Sequence, residues 1–241
     1  MSVPVPIVAL DVGEVDRALN IASDLGELCR FYKVGSELFT AAGPRVVEAL
    51  RERECEVFLD LKFHDIPNTV RGACRTAASL GVRLITVHAS GGRRMLEAAV
   101  TGAQDGAGGR VPEILAVTLL TSLRAGDLAE NWGRPVPSVE EEAVRLAMLA
   151  HAAKADGVVC GGTEARAIRA QLGSGFRILI PGIRLAGSAV NDQARIATPS
   201  EAAAAGASYV VVGRTVTAAP VPRDAMRAVL AELAGPVAKN T

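Results

Sequence analysis

The stretch VFLDLKFHDIPNT, residues 57–69, combines the pattern of a buried strand with the beginning of a helix. In a strand, successive side chains point to opposite faces, so Asp60 and Lys62 share one face and the leucines beside them share the other. Pro67 fits the first turn of a helix, where the missing backbone N–H is tolerated. The stretch therefore predicts one strand-then-helix unit that carries two charged side chains at the end of its strand.

Short apolar runs of the same kind recur along the chain, separated by longer amphipathic segments. The predicted strands occupy residues 7–12, 31–34, 57–62, 84–88, 114–119, 157–160, 178–181 and 209–212. Eight such units in 241 residues predict an α/β fold, a single-domain (β/α)8 barrel spanning residues 1–241, because this architecture typically needs about 250 residues. An open doubly wound sheet is the alternative, but it usually has fewer strands, and no G-x-G-x-x-G motif follows the first run.

Helical spacing of apolar residues predicts helices over residues 43–53 and 139–153. The second of these helices is expected to place Met148 on its apolar face. Pro199 and Pro222, like the proline of the opening stretch, are expected in the first turns of helices.

The amino-acid composition argues against a disordered protein and against a general nucleic-acid-binding protein. Hydrophobic residues make up 49% of the chain and charged residues 22%, which allows a packed core and argues against wholesale disorder. Lys plus Arg and Asp plus Glu each number 26, so the formal net charge is zero, and aromatic residues make up 3%. A general nucleic-acid-binding protein needs a basic surface and stacking side chains, so no nucleic-acid partner is predicted.

The location of the protein can also be predicted from the sequence. No run approaches the roughly 18 uninterrupted apolar residues of a membrane span, so no membrane association is expected. The first residues contain no basic segment leading into an apolar one, and we expect no secretory signal. Four cysteines without a C-x-x-C pair are expected to be free thiols in a reducing compartment. Together these features predict a cytoplasmic protein.

Mostly polar residues stand at the carboxyl ends of the predicted strands. In a parallel barrel these ends meet at one face, where the active site lies. We therefore expect one site to be surrounded by Asp11, Lys33, Asp60, Lys62, His88, Thr118, Pro181, Gly213 and Arg214.

Four charged residues form the densest group. Lys33 lies on the second predicted strand, beside the strand that carries Asp60 and Lys62, and Asp65 follows in the turn. Taken alone, each residue has a structural explanation. Lys33 could be a surface lysine, Asp60 and Lys62 could form a structural salt bridge, and Asp65 could cap the helix that begins at the following proline. Buried ion pairs contribute little stability, however, and strongly interacting charges cluster at functional sites. The four together predict a catalytic group in which lysines and aspartates alternate.

A second group of residues suits a phosphate. Gly213 and Arg214 follow the last strand, where a glycine lets a backbone N–H approach an anion and a guanidinium matches phosphate oxygens. Arg184 follows the seventh strand, and Gln193 lies in the long connection over residues 182–198. Barrels commonly bind phosphate with the loops after strands seven and eight. Solvated surface arginines are the structural alternative.

The histidines do not predict a metal site. His64, His88 and His151 lack the spacing of a metal-binding motif. A divalent cation at Asp60 would also face the two neighbouring lysines, which repel it. We therefore predict a site without a metal.

The pattern D-x-K-x-x-D-I-P-N-T at residues 60–69 closely resembles the signature of the bacterial type of orotidine 5′-monophosphate decarboxylase. The resemblance extends over essentially the whole chain. Shorter matches are Ala9-Leu10-Asp11, Lys33-Val34-Gly35, Leu120-Thr121-Ser122, Pro181-Gly182-Ile183-Arg184 and Val212-Gly213-Arg214.

The resemblance implies decarboxylation of orotidine monophosphate to uridine monophosphate without a cofactor, in the last step of pyrimidine nucleotide synthesis. Lys62 would protonate C6 of the pyrimidine as carbon dioxide leaves. Asp60 would sit against the substrate carboxylate, and Lys33 and Asp65 would complete the charge network. It also implies an obligate homodimer, in which Asp65 and Thr69 reach into the site of the partner subunit.

The resemblance further implies which residues contact the substrate. Asp11 and Lys33 would contact the ribose, and Thr121 with Ser122 would contact the pyrimidine edge. The full substrate-binding set is Asp11, Lys33, Asp60, Lys62, Asp65, Ile66, Thr69, Thr121, Ser122, Pro181, Arg184, Gln193, Gly213 and Arg214.

Two other functions are compatible with parts of the same pattern. A magnesium-dependent sugar-phosphate lyase of the same superfamily, resembling 3-keto-gulonate 6-phosphate decarboxylase or hexulose phosphate synthase, also carries D-x-K-x-x-D. Such an enzyme needs an acidic metal ligand where this chain has Lys33, and it lacks the I-P-N-T that follows here. A catalytically silent nucleotide-binding barrel is the other candidate, but binding alone would not require Asp60 beside Lys62.

Overall fold

The predicted strands close into one parallel barrel. The computed structural model describes residues 3–136, 138–185 and 197–235. Within these residues the strands are Val5–Ala9 (β1), Phe31–Gly35 (β2), Glu56–Phe63 (β3), Leu84–His88 (β4), Glu113–Val117 (β5), Gly157–Val159 (β6), Arg177–Ile180 (β7) and Tyr209–Val212 (β8). Each strand pairs in parallel with the next, and β8 pairs with β1. The (β/α)8 barrel is therefore confirmed, and the open doubly wound sheet is wrong.

Helices surround the barrel and connect its strands. They are Val15–Leu25 (α1), Ser36–Ala42 (α2), Arg45–Arg51 (α3), Pro67–Ser79 (α4), Arg93–Gly106 (α5), Ala125–Trp132 (α6), Val139–Ala152 (α7), Gly162–Leu172 (α8), Pro199–Ala204 (α9), Arg214–Thr217 (α10) and Pro222–Ala234 (α11). Short 3₁₀ turns occupy Gly26–Leu28 and Ala89–Gly91. Among the described helices, none has both the length and the apolar character needed to cross a membrane.

Neighbouring strand residues pack into two different apolar layers. Ile7 and Phe58 belong to the cluster inside the barrel, whereas Val8 and Leu59 belong to the cluster between barrel and helices. All four are at most 1% exposed. Full burial of a side chain of this size contributes about 1.5–3 kcal/mol, so both layers stabilise the barrel. The packed interior leaves the carboxyl ends of the strands for a binding site.

The helices differ from the predictions in two places. The helix predicted over residues 43–53 begins at Arg45, because Gly43 ends α2 with a positive φ of 63°. The prediction for Met148 is wrong, since this residue is 51% exposed. Position 148 lies about 200° around α7 from the buried Leu146, on the opposite side of the helix. The three prolines predicted in first turns do begin α4, α9 and α11.

The helices α4 and α5 approach each other very closely. A Cβ atom on Gly102 or Gly106 of α5 would overlap the backbone carbonyl oxygen of Arg71 or Arg75 in α4. The side chain of Arg71 also pairs with Asp105, with 2.6 Å between Nη2 and Oδ2. These contacts set the position of α4, the helix that follows the charged strand β3.

Candidate active site

A cavity of about 420 Å³ opens at the carboxyl ends of the barrel strands. The predicted site residues that line it are Asp11, Lys33, Asp60, Lys62, Thr121, Pro181, Arg184, Gly213 and Arg214. They are far apart in the sequence, but every strand of a parallel barrel ends at the same face. The volume falls within the range of small-molecule sites, roughly 300–1,000 Å³.

Four charged side chains form a continuous row in this cavity. Lys33 Nζ lies 2.8 Å from Asp11 Oδ1 and 3.5 Å from Asp60 Oδ2. Lys62 Nζ lies 2.9 Å from Asp60 Oδ1. Two lysines and two aspartates alternate as expected, but within this chain Asp11 takes the place that was predicted for Asp65.

The row is buried at its centre and more open at Lys62. The side chains of Lys33 and Asp60 are each 11% exposed, whereas that of Lys62 is 35% exposed. Burial alone would raise the pKa of Asp60, but the charges of both lysines and the hydrogen bonds from Lys62 and Thr86 outweigh it. The pKa of Asp60 is therefore below its usual range, and the carboxylate is ionised at neutral pH.

The backbone of Lys62 departs from a regular strand. Its φ of 50° lies in the left-handed region, which residues other than glycine rarely adopt. The pairing of β3 with β4 shifts register between Leu59 and Phe63, and a bulge of this kind changes the direction of side chains. The N–H of Lys62 donates to Thr86 Oγ1 at 3.0 Å. Lys62 and Asp60 meet as predicted, but through a bulge rather than through regular alternation.

The residues predicted to bind phosphate lie after β7 and β8. Arg184 is 9% exposed, and its Nη1 donates to Thr215 Oγ1 at 3.1 Å. The hydroxyl of Thr215 donates in turn to the backbone oxygen of Ile183 at 3.0 Å. Gly213 and Arg214 line the same cavity. The guanidinium of Arg184 is therefore held at the cavity by Thr215 of α10, the short helix that follows β8.

Other predicted site residues do not line the cavity of this chain. Asp65, Ile66 and Thr69 are exposed on the loop after β3 and the first turn of α4, and Ile66 is 67% exposed. Asp65 Oδ1 accepts a hydrogen bond of 2.6 Å from the backbone N–H of Ile66. Ser122 is also exposed and stands outside the lining. Gln193 lies outside the described residues.

Thr118 and His88, which stand at strand ends, also lie off the cavity lining. Thr118 is 3% exposed, and its hydroxyl donates to the backbone oxygen of Val159 at 3.0 Å. The ring of His88 lies 5.4 Å from that of His64, measured between centroids. Burial, followed by the charges of His64 and Lys62, lowers the pKa of His88, so its imidazole is neutral at neutral pH.

Two threonines that were not among the predicted site residues hold site residues in place. Thr86 is fully buried, and its Oγ1 lies 2.9 Å from Asp60 Oδ1. Thr215 holds Arg184 as described above. Thr86 could have been identified from the sequence, because it shares the inward face of β4 with Leu84. A buried hydroxyl among apolar neighbours needs a hydrogen-bond partner.

The carboxylates in the cavity are already engaged by cations. Asp11 and Asp60 are each paired with lysine ammonium groups. Within residues 3–136, 138–185 and 197–235, no group of three or more His, Cys, Asp or Glu side chains is arranged to hold a metal ion.

Comparison with known proteins identifies the family. The model of the Orotidine 5'-phosphate decarboxylase / HUMPS family matches residues 4–229. The orotidine 5'-phosphate decarboxylase of Halorhodospira halophila is 52% identical to this chain, covering 97% of the chain and 99% of that protein. The orotidine 5'-phosphate decarboxylase of Heliobacterium modesticaldum is 48% identical, covering 97% of both.

A solved structure agrees with these sequence relatives. The crystal structure of orotidine 5'-phosphate decarboxylase from Lactobacillus acidophilus matches with a TM-score of 0.85 and 39% sequence identity. The match covers 96% of this chain and 99% of that chain. The chain therefore belongs to the orotidine 5'-phosphate decarboxylase / HUMPS family, as the pattern at residues 60–69 predicted.

Proposed function

We propose that this chain converts orotidine 5′-monophosphate to uridine 5′-monophosphate and carbon dioxide, the last step of pyrimidine nucleotide synthesis. The observation that carries the proposal is the ammonium of Lys62, which lies in the cavity 2.9 Å from the carboxylate of Asp60. Relatives that carry this name are about half identical to the chain over nearly its whole length.

Lys62 supplies the charge that this reaction needs. Loss of carbon dioxide from C6 leaves a carbanion with no adjacent group to take up its electrons. A fixed ammonium beside that carbon stabilises the developing negative charge and then donates a proton to it. The proton forms the new C6–H bond, and the electron pair of the broken carbon–carbon bond becomes the pair of that bond. The 35% exposure of the Lys62 side chain supports access of a ligand to the ammonium.

Asp60 contributes in a different way. A substrate carboxylate held near its carboxylate is repelled, and the repulsion disappears when neutral carbon dioxide leaves. Two like charges about 4 Å apart at an effective dielectric constant of about 20 interact by about 4 kcal/mol. That energy corresponds to about three orders of magnitude in rate, whereas enzymes commonly supply six to seventeen. Stabilisation of the carbanion by Lys62 must therefore be the larger effect.

The phosphate group of the substrate fits the other predicted set. Arg184, Gly213 and Arg214 line the cavity, and we assign them to the phosphate together with Gln193. Guanidinium groups bind phosphate oxygens through paired hydrogen bonds. Binding energy from this remote group helps to hold the pyrimidine against Lys62.

The ribose and the pyrimidine are assigned to the remaining residues of the cavity. Asp11 and Lys33, joined at 2.8 Å, offer an acceptor and a donor to the ribose hydroxyls. Thr121 lines the cavity after β5 and is assigned to the pyrimidine edge, with Ser122 beside it. Pro181 lines the cavity after β7 and packs against the ligand in this proposal.

We propose that the active form is a homodimer. Asp65 and Thr69 are exposed in this chain and lie outside its own cavity, which supports their use by a second copy. Ile66, 67% exposed between them, suits burial against a partner. Asp65 and Thr69 then complete the site of the partner subunit.

A cytoplasmic location is part of the proposal. The four cysteines are free, and three of them are buried. Burial raises the pKa of Cys74 to about 12, so this thiol stays protonated and unreactive. Free thiols of this kind suit a reducing compartment.

The decisive experiment follows the loss of the orotate chromophore with purified protein in excess EDTA. We expect full turnover, because in this proposal Lys62 supplies the charge that a metal would otherwise supply. Protein that is silent in EDTA and recovers with magnesium would instead indicate the sugar-phosphate lyase chemistry of the same superfamily. Binding of uridine monophosphate without any turnover would indicate a nucleotide-binding barrel.

A further inference from the structure

Thr86 of β4 bonds to the two residues of the neighbouring strand β3 that carry the reactive charges. It lies on β4, is fully buried and does not line the cavity. Its Oγ1 lies 3.0 Å from the backbone nitrogen of Lys62 and 2.9 Å from Asp60 Oδ1. The hydroxyl therefore contacts both partners of the ion pair without contacting the space that a ligand would occupy.

The direction of both hydrogen bonds is determined by their chemistry. The backbone N–H of Lys62 can only donate, so the hydroxyl oxygen of Thr86 accepts there. The ionised carboxylate of Asp60 can only accept, so the hydroxyl proton of Thr86 points to it. Asp60 Oδ1 also accepts from Lys62 Nζ at 2.9 Å. The three hydrogen bonds form a closed ring. The backbone N–H of Lys62 bonds to Thr86, the hydroxyl of Thr86 bonds to Asp60 Oδ1, and the same oxygen accepts from the ammonium of Lys62.

The ring holds a backbone conformation that is unfavourable on its own. A left-handed φ is unfavourable in a residue other than glycine unless the surroundings compensate, because Cβ then crowds the backbone. At Lys62 the register shift removes regular pairing with β4, and the N–H bonds to Thr86. Without that hydroxyl, the N–H and one carboxylate oxygen of Asp60 would each lose a partner inside the protein.

We infer that Thr86 is a positioning residue for the reaction: it holds the bulge at Lys62 and the carboxylate of Asp60 so that the ammonium points at the reacting carbon. This inference rests on the proposed function for its kinetic consequences, but the geometry it predicts at Lys62 can be measured independently. The lower pKa of Asp60, to which the bond from Thr86 contributes, agrees with it.

The test compares two substitutions at Thr86 with one at a matched threonine. Thr86→Val keeps the shape and removes the hydroxyl, whereas Thr86→Ser keeps the hydroxyl. Thr118→Val is the control, because Thr118 is also a buried threonine near a strand end, yet its hydroxyl bonds to a backbone oxygen rather than to the charged row. All three are assayed for kcat, for KM and for affinity toward uridine monophosphate.

We expect Thr86→Val to lower kcat by roughly 10- to 100-fold, the usual effect of losing a hydrogen bond to a charged group, with KM and product affinity within about 3-fold of wild type. Thr86→Ser should recover kcat to within about 3-fold. Thr118→Val should change kcat by less than about 3-fold, even where its thermal stability falls as much as that of Thr86→Val. Equal losses of kcat in the Thr86→Val and Thr118→Val variants, or full kcat in Thr86→Val, would overturn the inference.

The geometry is tested by a crystal structure of the Thr86→Val protein. We expect Lys62 Nζ to move beyond hydrogen-bond distance of Asp60 Oδ1, and an unchanged ion pair with the φ of Lys62 still near its present value would overturn the inference. If Thr86→Val does not fold, Thr86→Ala receives the same measurements. If the wild-type protein shows no turnover, the proposed function is refuted but the inference about Thr86 is not. The crystal structure of the variant still decides whether Thr86 holds Lys62 and Asp60 in place.

Discussion

Lys62 Nζ donates a hydrogen bond of 2.9 Å to Asp60 Oδ1, and the two side chains differ in exposure, 35% for the lysine and 11% for the aspartate. The carboxylate is thus held inside the protein, while part of the lysine side chain is open to the cavity. In the proposed function, this arrangement directs a positive charge toward the substrate and keeps a negative charge close behind it.

Lys62→Ala should lower kcat by at least about 10⁴-fold, because it removes both the charge that stabilises the carbanion and the proton donor. Uridine monophosphate should still bind, since its phosphate contacts are unchanged. Lys154→Ala is a suitable control, because Lys154 also has a positive φ, 66°, but is exposed away from the cavity. Wild-type turnover in the Lys62→Ala protein would refute the assigned role.

Arg214→Ala should weaken binding of uridine monophosphate by roughly 10- to 100-fold, because a charge-assisted contact with phosphate is lost. Uridine, which has no phosphate, should bind both proteins alike. Titration calorimetry with the two ligands measures the difference, and Arg166→Ala on the exposed side of α8 serves as the control. Equal losses for nucleotide and nucleoside would show that the phosphate binds elsewhere.

Mixing the inactive Lys62→Ala and Asp65→Ala proteins should restore activity if Asp65 acts in the partner's site. A hybrid dimer then contains one site with both residues intact and one site with neither. Random exchange of subunits makes half of the dimers hybrid, so about a quarter of wild-type activity is expected. No recovery after verified subunit exchange would place Asp65 in its own chain's site or outside the reaction.

Asp60 should contribute to the acid sensitivity of the folded protein. Folding lowers the pKa of the Asp60 carboxyl, so the ionised carboxylate stabilises the folded protein fully above the unfolded-state pKa of about 3.9. This stabilisation is lost as the pH falls from that value toward the lower pKa of the folded state. Urea denaturation from about pH 5 to about pH 3 should show a smaller loss of unfolding free energy in Asp60→Asn than in wild type. Identical slopes would contradict the pKa direction.

Gly102→Ala should destabilise the protein by about 1–3 kcal/mol, because the new Cβ overlaps the carbonyl oxygen of Arg71 and forces α4 and α5 apart. Alanine is otherwise the better helix residue, so a stabilised variant would show that the helices separate freely. Gly72→Ala is the matched control, since Gly72 lies within α4 and nothing lies within 4 Å of the Cβ that the substitution would add. Chemical denaturation of the three proteins measures the difference.

The barrel and the core of its site could be predicted from local patterns. Short apolar runs identified the strands, and prolines marked the starts of α4, α9 and α11. Strand ends then indicated Lys33, Asp60 and Lys62, because parallel strands bring their carboxyl ends to one face. The same rule failed at Thr118, whose side chain points out of the cavity because it follows an inward-facing residue.

The tertiary structure alone decided the contacts between different strands. Lys33 bonds to Asp11, 22 residues away, and Thr86 bonds to Asp60, 26 residues away. Such contacts depend on which strands become neighbours and on their register, and the sequence pattern of a single strand contains neither. The direction of Lys62 depends on a bulge that forms only when β3 pairs with β4. The sequence thus determined which chemical groups reach the mouth of the barrel. The pairing and register of the strands determined which of these groups bond to one another.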